Sequence, residues 1–178
     1  MRLTFRATRP ILGGSALVAA AALLPGTALA APAGANRAAP RCATRHTVIW
    51  LGLGNGGGAA GTVFFPLEFT NTSTRTCTLT GFPRAWAAGR NGKQIGPPAR
   101  HLNLRHGVVT LRPGATAHAQ FGVIRAAHVC RKPVTAASLK VRAPGQAGRT
   151  VLPFSFPACP GSKHVLVVGP VQRGVGIP

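Results

Sequence analysis

The sequence predicts an all-β domain folded as a two-sheet antiparallel β-sandwich, and three observations support this prediction. Roughly eight or nine short segments alternate between apolar and polar residues, with turn signals between them, as is typical of sandwich strands. The 178 residues include 23 Gly and 16 Pro, which favour turns over helices. The four cysteines are an even number, as expected for a domain with two disulfides.

The most informative segment is 64–83, which predicts a β-hairpin. In and just before its first half, apolar residues alternate with others and are expected to face the core: Val63, Phe65, Leu67 and Phe69. Asn71 to Thr74 supply side chains that bond to the backbone in turns. Cys77 and Leu79 then alternate with threonines, and Pro83 ends the second strand because proline cannot donate to a β-ladder.

Further strands are predicted along the rest of the chain. Their ranges are 46–53, 85–88, a short extension at Ile95, 108–111, 115–123, 138–142, 151–156 and 165–171. Asn91-Gly92 predicts a hairpin turn, and Pro113-Gly114 predicts a second turn. Alternation places Lys140 and Arg142 outward, and it places five residues inward: Ala117, Ala119, Phe121, Leu139 and Val141. Only 126–137 has room for a helical turn.

Residues 1–30 are interpreted as a secretory signal peptide. Three arginines precede an apolar run at 11–24, and Ala28-Leu29-Ala30 matches a small-x-small cleavage site. The apolar run is shorter than the ~20 residues that a membrane-spanning helix needs. We therefore expect a mature chain without a transmembrane span, secreted or associated with the cell wall. Residues 31–41 are predicted to be a disordered linker, and 42–178 the β-sandwich domain.

The four cysteines allow three disulfide pairings. We favour Cys42–Cys77 with Cys130–Cys159, because each pair closes a loop of roughly thirty residues, worth about 3–4 kcal/mol in the chain-entropy model. A zinc site is the alternative. It is disfavoured because the sequence has no C-x-x-C pair and its possible ligands are widely scattered.

The composition disfavours a catalytic site and a cofactor site. The chain has no Asp, and Glu68 is its only acid, so a Ser-His-Asp triad and two-carboxylate glycoside hydrolysis are both excluded. The six histidines show no metal-ligand spacing. We therefore expect no enzyme activity, no cofactor and no metal. The N-glycosylation sequon Asn71-Thr72-Ser73 is interpreted as part of the turn.

The charge balance is the most unusual property of the chain. Lys and Arg number 21 against a single acid, so the net charge is +20 and polyanions are attracted from a distance. A bias in coding composition would also enrich Arg, and the sequence leaves this alternative open. Arg side chains bind phosphate and carboxylate in bidentate fashion. The candidate anion-binding residues are Arg100, Arg105, Arg112, Arg125, Arg131, Lys132, Lys140 and Arg142.

The expected partner is an anionic cell-wall polymer or lipid. Specific binding of nucleic acid is disfavoured, because the chain has neither an array of stacking aromatic residues nor a recognition helix. The alternative function is an extracellular protein-binding module, such as an inhibitor or adhesion domain. Salt dependence separates the two functions, since polyanion binding weakens steeply with ionic strength.

Four motifs occur in order along the chain. They are Phe69-x-Asn71-Thr72-Ser73-x-x-x-Cys77-x-Leu79-x-Gly81-x-Pro83, Leu111-x-Pro113-Gly114-x-x-Ala117, Leu139-x-Val141-x-x-Pro144-Gly145 and Gly169-Pro170-Val171. Together they resemble a secreted actinobacterial family, the domain of unknown function 4232 family. The resemblance implies export and an immunoglobulin-like Greek key sandwich without known activity. The chain departs from the family pattern in lacking a lipid-attachment cysteine and in carrying Phe82 where Tyr is usual.

Overall fold

Twelve β-strands and two short 3-10 helices make up the part of the chain that the structure, a computed structural model, describes: residues 38–52, 58 and 61–176. The predicted signal peptide at 1–30 and most of the predicted linker lie outside the described residues. Residues 53–57 and 59–60, which belong to a glycine-rich connection, also lie outside them. The prediction of an all-β domain is confirmed.

Most strands match the predicted ranges, although β9 begins four positions earlier than expected. The strands are β1 (Thr47–Leu51), β2 (Thr62–Asn71), β3 (Cys77–Thr80), β4 (Arg84–Ala88), β5 (Gln94–Ile95), β6 (Arg100–His101), β7 (Val108–Leu111), β8 (Thr116–Ile124), β9 (Val134–Arg142), β10 (Thr150–Ala158), β11 (Leu166–Val168) and β12 (Gln172–Arg173). The 3-10 helices are Thr44–His46 and Ala126–His128, and the second lies where the sequence allows a helical turn.

The strands form three sheets. The first sheet has the order β1-β2-β8-β11-β6, and β12 also pairs with β8. The second sheet has the order β10-β9-β4-β5, and the small sheet consists of β3 and β7. The pairing of β6 with β11 is parallel, while the other strand pairs are antiparallel. The expectation of two purely antiparallel sheets is therefore corrected to three sheets, one of them mixed.

The hairpin predicted from the central segment does not form. β2 pairs with β1 and β8, whereas β3 pairs with β7. Asn71 gives the physical reason, because its side-chain nitrogen lies 2.9 Å from Arg75 O, 3.0 Å from Leu111 O and 3.2 Å from Arg112 O. Its Oδ1 accepts from Ser73 N at 3.0 Å and from Ser73 Oγ at 2.7 Å. The amide thus fastens the turn to the end of β7, and the chain leaves the first sheet there.

The two other predicted turns are confirmed. The turn between β4 and β5 is closed by a hydrogen bond from Gly89 N to Lys93 O at 2.9 Å, and β4 and β5 pair as a hairpin. The turn after β7 is closed by a hydrogen bond from Ala115 N to Arg112 O at 3.0 Å. Gly114 has a φ of 75°, a value that glycine adopts without strain.

Most of the predicted inward positions form the core between the two larger sheets, but the prediction is wrong for Val63 near the start of β2, which is 43% exposed. Five of them are fully buried: Leu67, Phe69, Ala117, Ala119 and Phe121. Leu139 and Val141, on the central strand β9 of the second sheet, are also fully buried. The ring of Phe65 on β2 meets Phe154 on β10 edge to face, with the centroids 5.0 Å apart. Side chains from both larger sheets therefore pack against one another.

Both predicted disulfides are present: Cys42 is joined to Cys77, and Cys130 to Cys159. The first disulfide ties the start of the predicted domain to β3. Backbone contacts with β3 begin slightly earlier in the chain, since Thr78 N donates to Pro40 O at 2.8 Å. Two disulfides are typical of proteins that fold in an oxidising compartment outside the cytosol.

Candidate anion-binding site

The eight predicted anion-binding residues lie in three parts of the domain. The first group follows the chain from β6 to β7: Arg100 lies on β6, Arg105 in the next loop, and Arg112 directly after β7. All three side chains are exposed. The ring of His101, next to Arg100, stacks on Phe82 with the centroids 4.3 Å apart. This group is cationic, and its three residues lie on separate elements.

The second group surrounds the 3-10 helix Ala126–His128. It consists of Arg125, Arg131 and Lys132, whose side chains are all exposed. The backbone N–H of Arg125 donates to Gly61 O at 2.8 Å, which ties the end of β8 to the start of β2. Arg125 also lines an apolar pocket, whereas Arg131 and Lys132 do not.

The third group lies on the outer side of the second sheet. Arg142 on β9 pairs with Arg84 on β4, and Lys140 pairs with Trp86. Because paired residues of neighbouring strands point to the same side of a sheet, these four side chains share one face. Gln94 on β5 pairs with Ala88 and extends this face to the sheet edge. We name Arg84, Trp86, Gln94, Lys140 and Arg142 the cationic face.

A shallow cleft of about 140 Å³ opens on the cationic face. It is lined by Arg84, Trp86, Gln94, Pro98 and Arg142. The Nε of Arg142 is buried and has no hydrogen-bond partner among the described residues. A buried donor without a partner costs free energy, so an anion that accepted a hydrogen bond from this N–H would stabilise the arrangement. The cleft therefore combines two guanidinium groups, an amide and an indole ring.

Lys140 is held more firmly than its outward position predicts. Its side chain is half-buried, and its Nζ donates to Gly92 O at 2.5 Å. This hydrogen bond crosses from β9 to the turn between β4 and β5. It limits the freedom of the side chain while leaving two of the three ammonium protons for a ligand.

Sequence reasoning missed Arg84, Trp86 and Gln94. The signal for the first two is present in the sequence, because Arg84 and Trp86 alternate with Ala85 and Ala87 and so belong to one side of β4. What the sequence does not show is that β4 lies beside β9. That long-range pairing brings Arg84 next to Arg142.

Glu68, the only acid, does not lie on the cationic face. It is 1% exposed on β2, where its Oε1 accepts from Gly176 N at 2.6 Å. Burial raises the pKa of the Glu68 carboxyl, and this effect outweighs the hydrogen bond from Gly176 and the nearby charge of His118, which lower that pKa. Within the described part of the chain, Glu68 forms no ion pair with Lys or Arg. The cationic face thus has no carboxylate of its own.

A cluster of metal-binding side chains and a membrane-spanning helix are both absent from the described residues. Among residues 38–52, 58 and 61–176, no group of three or more His, Cys, Asp or Glu side chains is placed to hold a metal ion. No helix in that part of the chain is long and apolar enough to cross a membrane.

Comparison with known proteins places the domain in a family. A family model described as a domain of unknown function (DUF4232) matches residues 42–172, so the chain belongs to this family. No curated protein matches the chain, and no solved structure matches it either. The match begins at the first disulfide cysteine and ends on β12, so it covers the cationic face completely.

Proposed function

We propose that this family member is an exported, non-catalytic domain that binds an anionic polymer of the cell envelope through the cationic face. The observation that carries the proposal is the direct pairing of Arg84 with Arg142 beside Trp86. Like charges at directly paired strand positions repel one another and destabilise a sheet. An external phosphate or carboxylate between the two guanidinium groups removes this repulsion and accepts bidentate hydrogen bonds.

Trp86 gives the face a contact surface that charge alone does not supply. Its side chain is half-buried in the middle of the face, and it lines the cleft together with both arginines. The indole ring offers a large apolar face, and the guanidinium groups supply charge-assisted hydrogen bonds to anionic groups. A polymer that carries both apolar faces and anionic groups, such as a charged polysaccharide, suits this combination best.

The proposal includes export and an immunoglobulin-like sandwich. Export is supported by the predicted signal peptide and by two disulfides, which persist in oxidising compartments. The sandwich is supported by aromatic contacts between the larger sheets, since Phe154 lies 5.0 Å from Phe65 and 6.4 Å from Phe121. Intact-mass measurement of the exported protein tests the first point, with a chain beginning near Ala31 as the expected result.

Retention on immobilised polyanions tests the binding function. The variant Arg84→Glu/Arg142→Glu changes the net charge by four units, and the control Arg131→Glu/Lys132→Glu changes it equally at exposed positions elsewhere. We expect the cationic-face variant to elute at clearly lower salt than the control from polyphosphate and from polygalacturonate columns. Comparison of the two columns separates phosphate from carboxylate recognition. Equal elution of both folded variants contradicts a local site and leaves only the diffuse field of the whole protein.

A protein-binding module is the second candidate, and a specific observation favours it. β1 lies at the end of the first sheet, and Val48 and Trp50 on this strand are 50% and 43% exposed. Exposed apolar side chains on an edge strand are suited to pairing with another chain. Binding through such a packed interface changes little with salt, so salt-insensitive retention of the parent protein on envelope fractions supports this candidate instead.

A further inference from the structure

A large cavity opens where the two larger sheets end, away from the cationic face. Its volume is about 620 Å³. The walls come from β2, β8 and β10 and from the helix Ala126–His128, and the apolar side chains include Val63, Phe65, Val123, Phe154, Phe156 and Pro157. This volume lies within the range of small-molecule sites, roughly 300–1,000 Å³.

Three aromatic rings give the cavity an apolar surface. The ring of Phe154 lies 5.0 Å from that of Phe65, at an interplanar angle of 74°, and 5.0 Å from that of Phe156. Phe65 and Phe154 are only half-buried, and Val63 is 43% exposed. Apolar surface left in contact with water forfeits hydrophobic stabilisation. An apolar ligand in the cavity would recover it.

One charged residue, Arg125, belongs to the lining. Its backbone is fixed on both sides, because its N–H donates to Gly61 O at 2.8 Å and its carbonyl accepts from His128 N at 3.0 Å. Its side chain is exposed. Glu68, the only acid, is buried against Gly176 and is not part of the lining. The guanidinium of Arg125 is therefore available to an anion from outside the chain.

We propose that this cavity binds a small anionic amphiphile, with a single apolar chain among the phenylalanines and a carboxylate or phosphate head group on Arg125. Charge complementarity and the apolar lining together select this class of ligand over a neutral lipid or a sugar. This inference does not depend on the cationic face.

Titration calorimetry of the mature protein with dodecanoate, dodecyl phosphate and dodecanol, each below its aggregation concentration, tests the proposal. We expect saturable binding of one molecule of either anion per chain. Dodecanol should bind about tenfold more weakly or worse, because it makes no charge-assisted hydrogen bond to Arg125. A difference between dodecanoate and dodecyl phosphate identifies the preferred head group.

Two kinds of variant locate the site. Arg125→Gln should weaken dodecanoate binding about tenfold and leave dodecanol binding unchanged, whereas the control Arg131→Gln, outside the lining, should change neither. Ala127→Trp places bulk at an exposed lining position and should abolish binding of all three ligands. If circular dichroism shows that Ala127→Trp does not fold, Ser155→Trp is used to fill the cavity instead.

The outcomes that overturn the proposal are definite. Absence of saturable dodecanoate binding by the folded parent does so, and so does dodecanoate binding that survives both Arg125→Gln and the tryptophan variants. Binding of dodecanol as tight as that of dodecanoate shows an apolar site without anion selection. Arg84→Glu/Arg142→Glu should bind dodecanoate like the parent, so failure of the polymer-binding proposal and failure of this one are distinguishable.

Discussion

The outer sides of the two larger sheets differ in their charged residues: the first sheet carries a buried carboxyl group, and the second carries paired arginines. On the first sheet, Glu68 is 1% exposed and accepts a hydrogen bond from Gly176 N near the C-terminus. On the second sheet, Arg84 and Arg142 stand at paired positions, and the Nε of Arg142 has no partner in the described part of the chain. The protein thus places its only acid inside the fold and leaves these cations without an internal counterion.

This contrast suggests different roles for the two sheets, with polar groups of the first sheet stabilising the fold and arginines of the second sheet binding anions. Buried polar groups near the first sheet, such as Glu68 and Asn71, hold distant parts of the chain together. The arginines of the second sheet add repulsion to the fold and contribute little to its stability. We therefore expect substitutions on the first sheet to change unfolding, and substitutions on the second sheet to change anion binding.

The largest expected effect follows from Asn71→Ala. This change removes the hydrogen bonds from the Asn71 side chain to Arg75 O, Leu111 O and Arg112 O, of which the bond to Leu111 O is buried. It also removes the acceptor of Ser73 N and Ser73 Oγ. The free energy of unfolding should fall by about 3–5 kcal/mol, measured by urea denaturation.

Asn91→Ala is the matched control. Asn91 also stabilises a turn, since its Oδ1 accepts from Lys93 N at 3.0 Å, but it is exposed and belongs to the second sheet. We expect a loss of no more than about 1 kcal/mol for this variant. Similar decreases in the free energy of unfolding for Asn71→Ala and Asn91→Ala would show that the buried side chain of Asn71 stabilises the first sheet no more than an exposed turn residue does.

A smaller effect concerns the pH dependence of stability. Because burial raises the pKa of Glu68, the native state holds this proton more tightly than the unfolded state does. The contribution of Glu68 is therefore full below the ordinary pKa of 4.5 and is lost as pH rises through the raised pKa of the folded protein. Each unit of pKa elevation corresponds to about 1.4 kcal/mol.

Glu68→Gln isolates this contribution. Unfolding free energies of parent and variant should be measured from pH 3 to pH 7, so that the shared titration of the histidines cancels in the difference. We expect the parent to lose stability relative to the variant as pH rises from about 4.5. A parent that instead gains stability over this range would mean that Glu68 is stabilised as an anion, and the contrast between the two sheets would fail.

Local patterns in the sequence predict much of the fold. Period-two alternation identifies buried positions of β8 and β9 and, on β2, the burial of Leu67 and Phe69, and loop length favours the correct cysteine pairs. The turns at Gly92 and Gly114 follow from residue types that adopt positive φ. The alternation and the turns depend on residues that are close in the chain, and the cysteines allow only three pairings.

Features that depend on long-range pairing were not predicted. The hairpin prediction is wrong because Asn71 bonds to the end of β7, about forty residues further along the chain. Alternation places Glu68 on the outer side of β2, yet Gly176, far along the chain, packs against it. The cationic face forms because β4 pairs with β9, and the sequence does not show this pairing. In each case a local pattern gives the orientation of a side chain and not the identity of its neighbour.

Arg84 and Arg142 are proposed to form one local anion site, and a salt titration of polyphosphate binding tests this most directly. The parent, Arg84→Gln/Arg142→Gln and the control Arg131→Gln/Lys132→Gln should be compared by plotting the logarithm of affinity against the logarithm of salt concentration. Each lost phosphate contact lowers the slope by about one. We predict a decrease of about two for the cationic-face variant and of less than one for the control. Equal decreases for the two folded variants would contradict the claim.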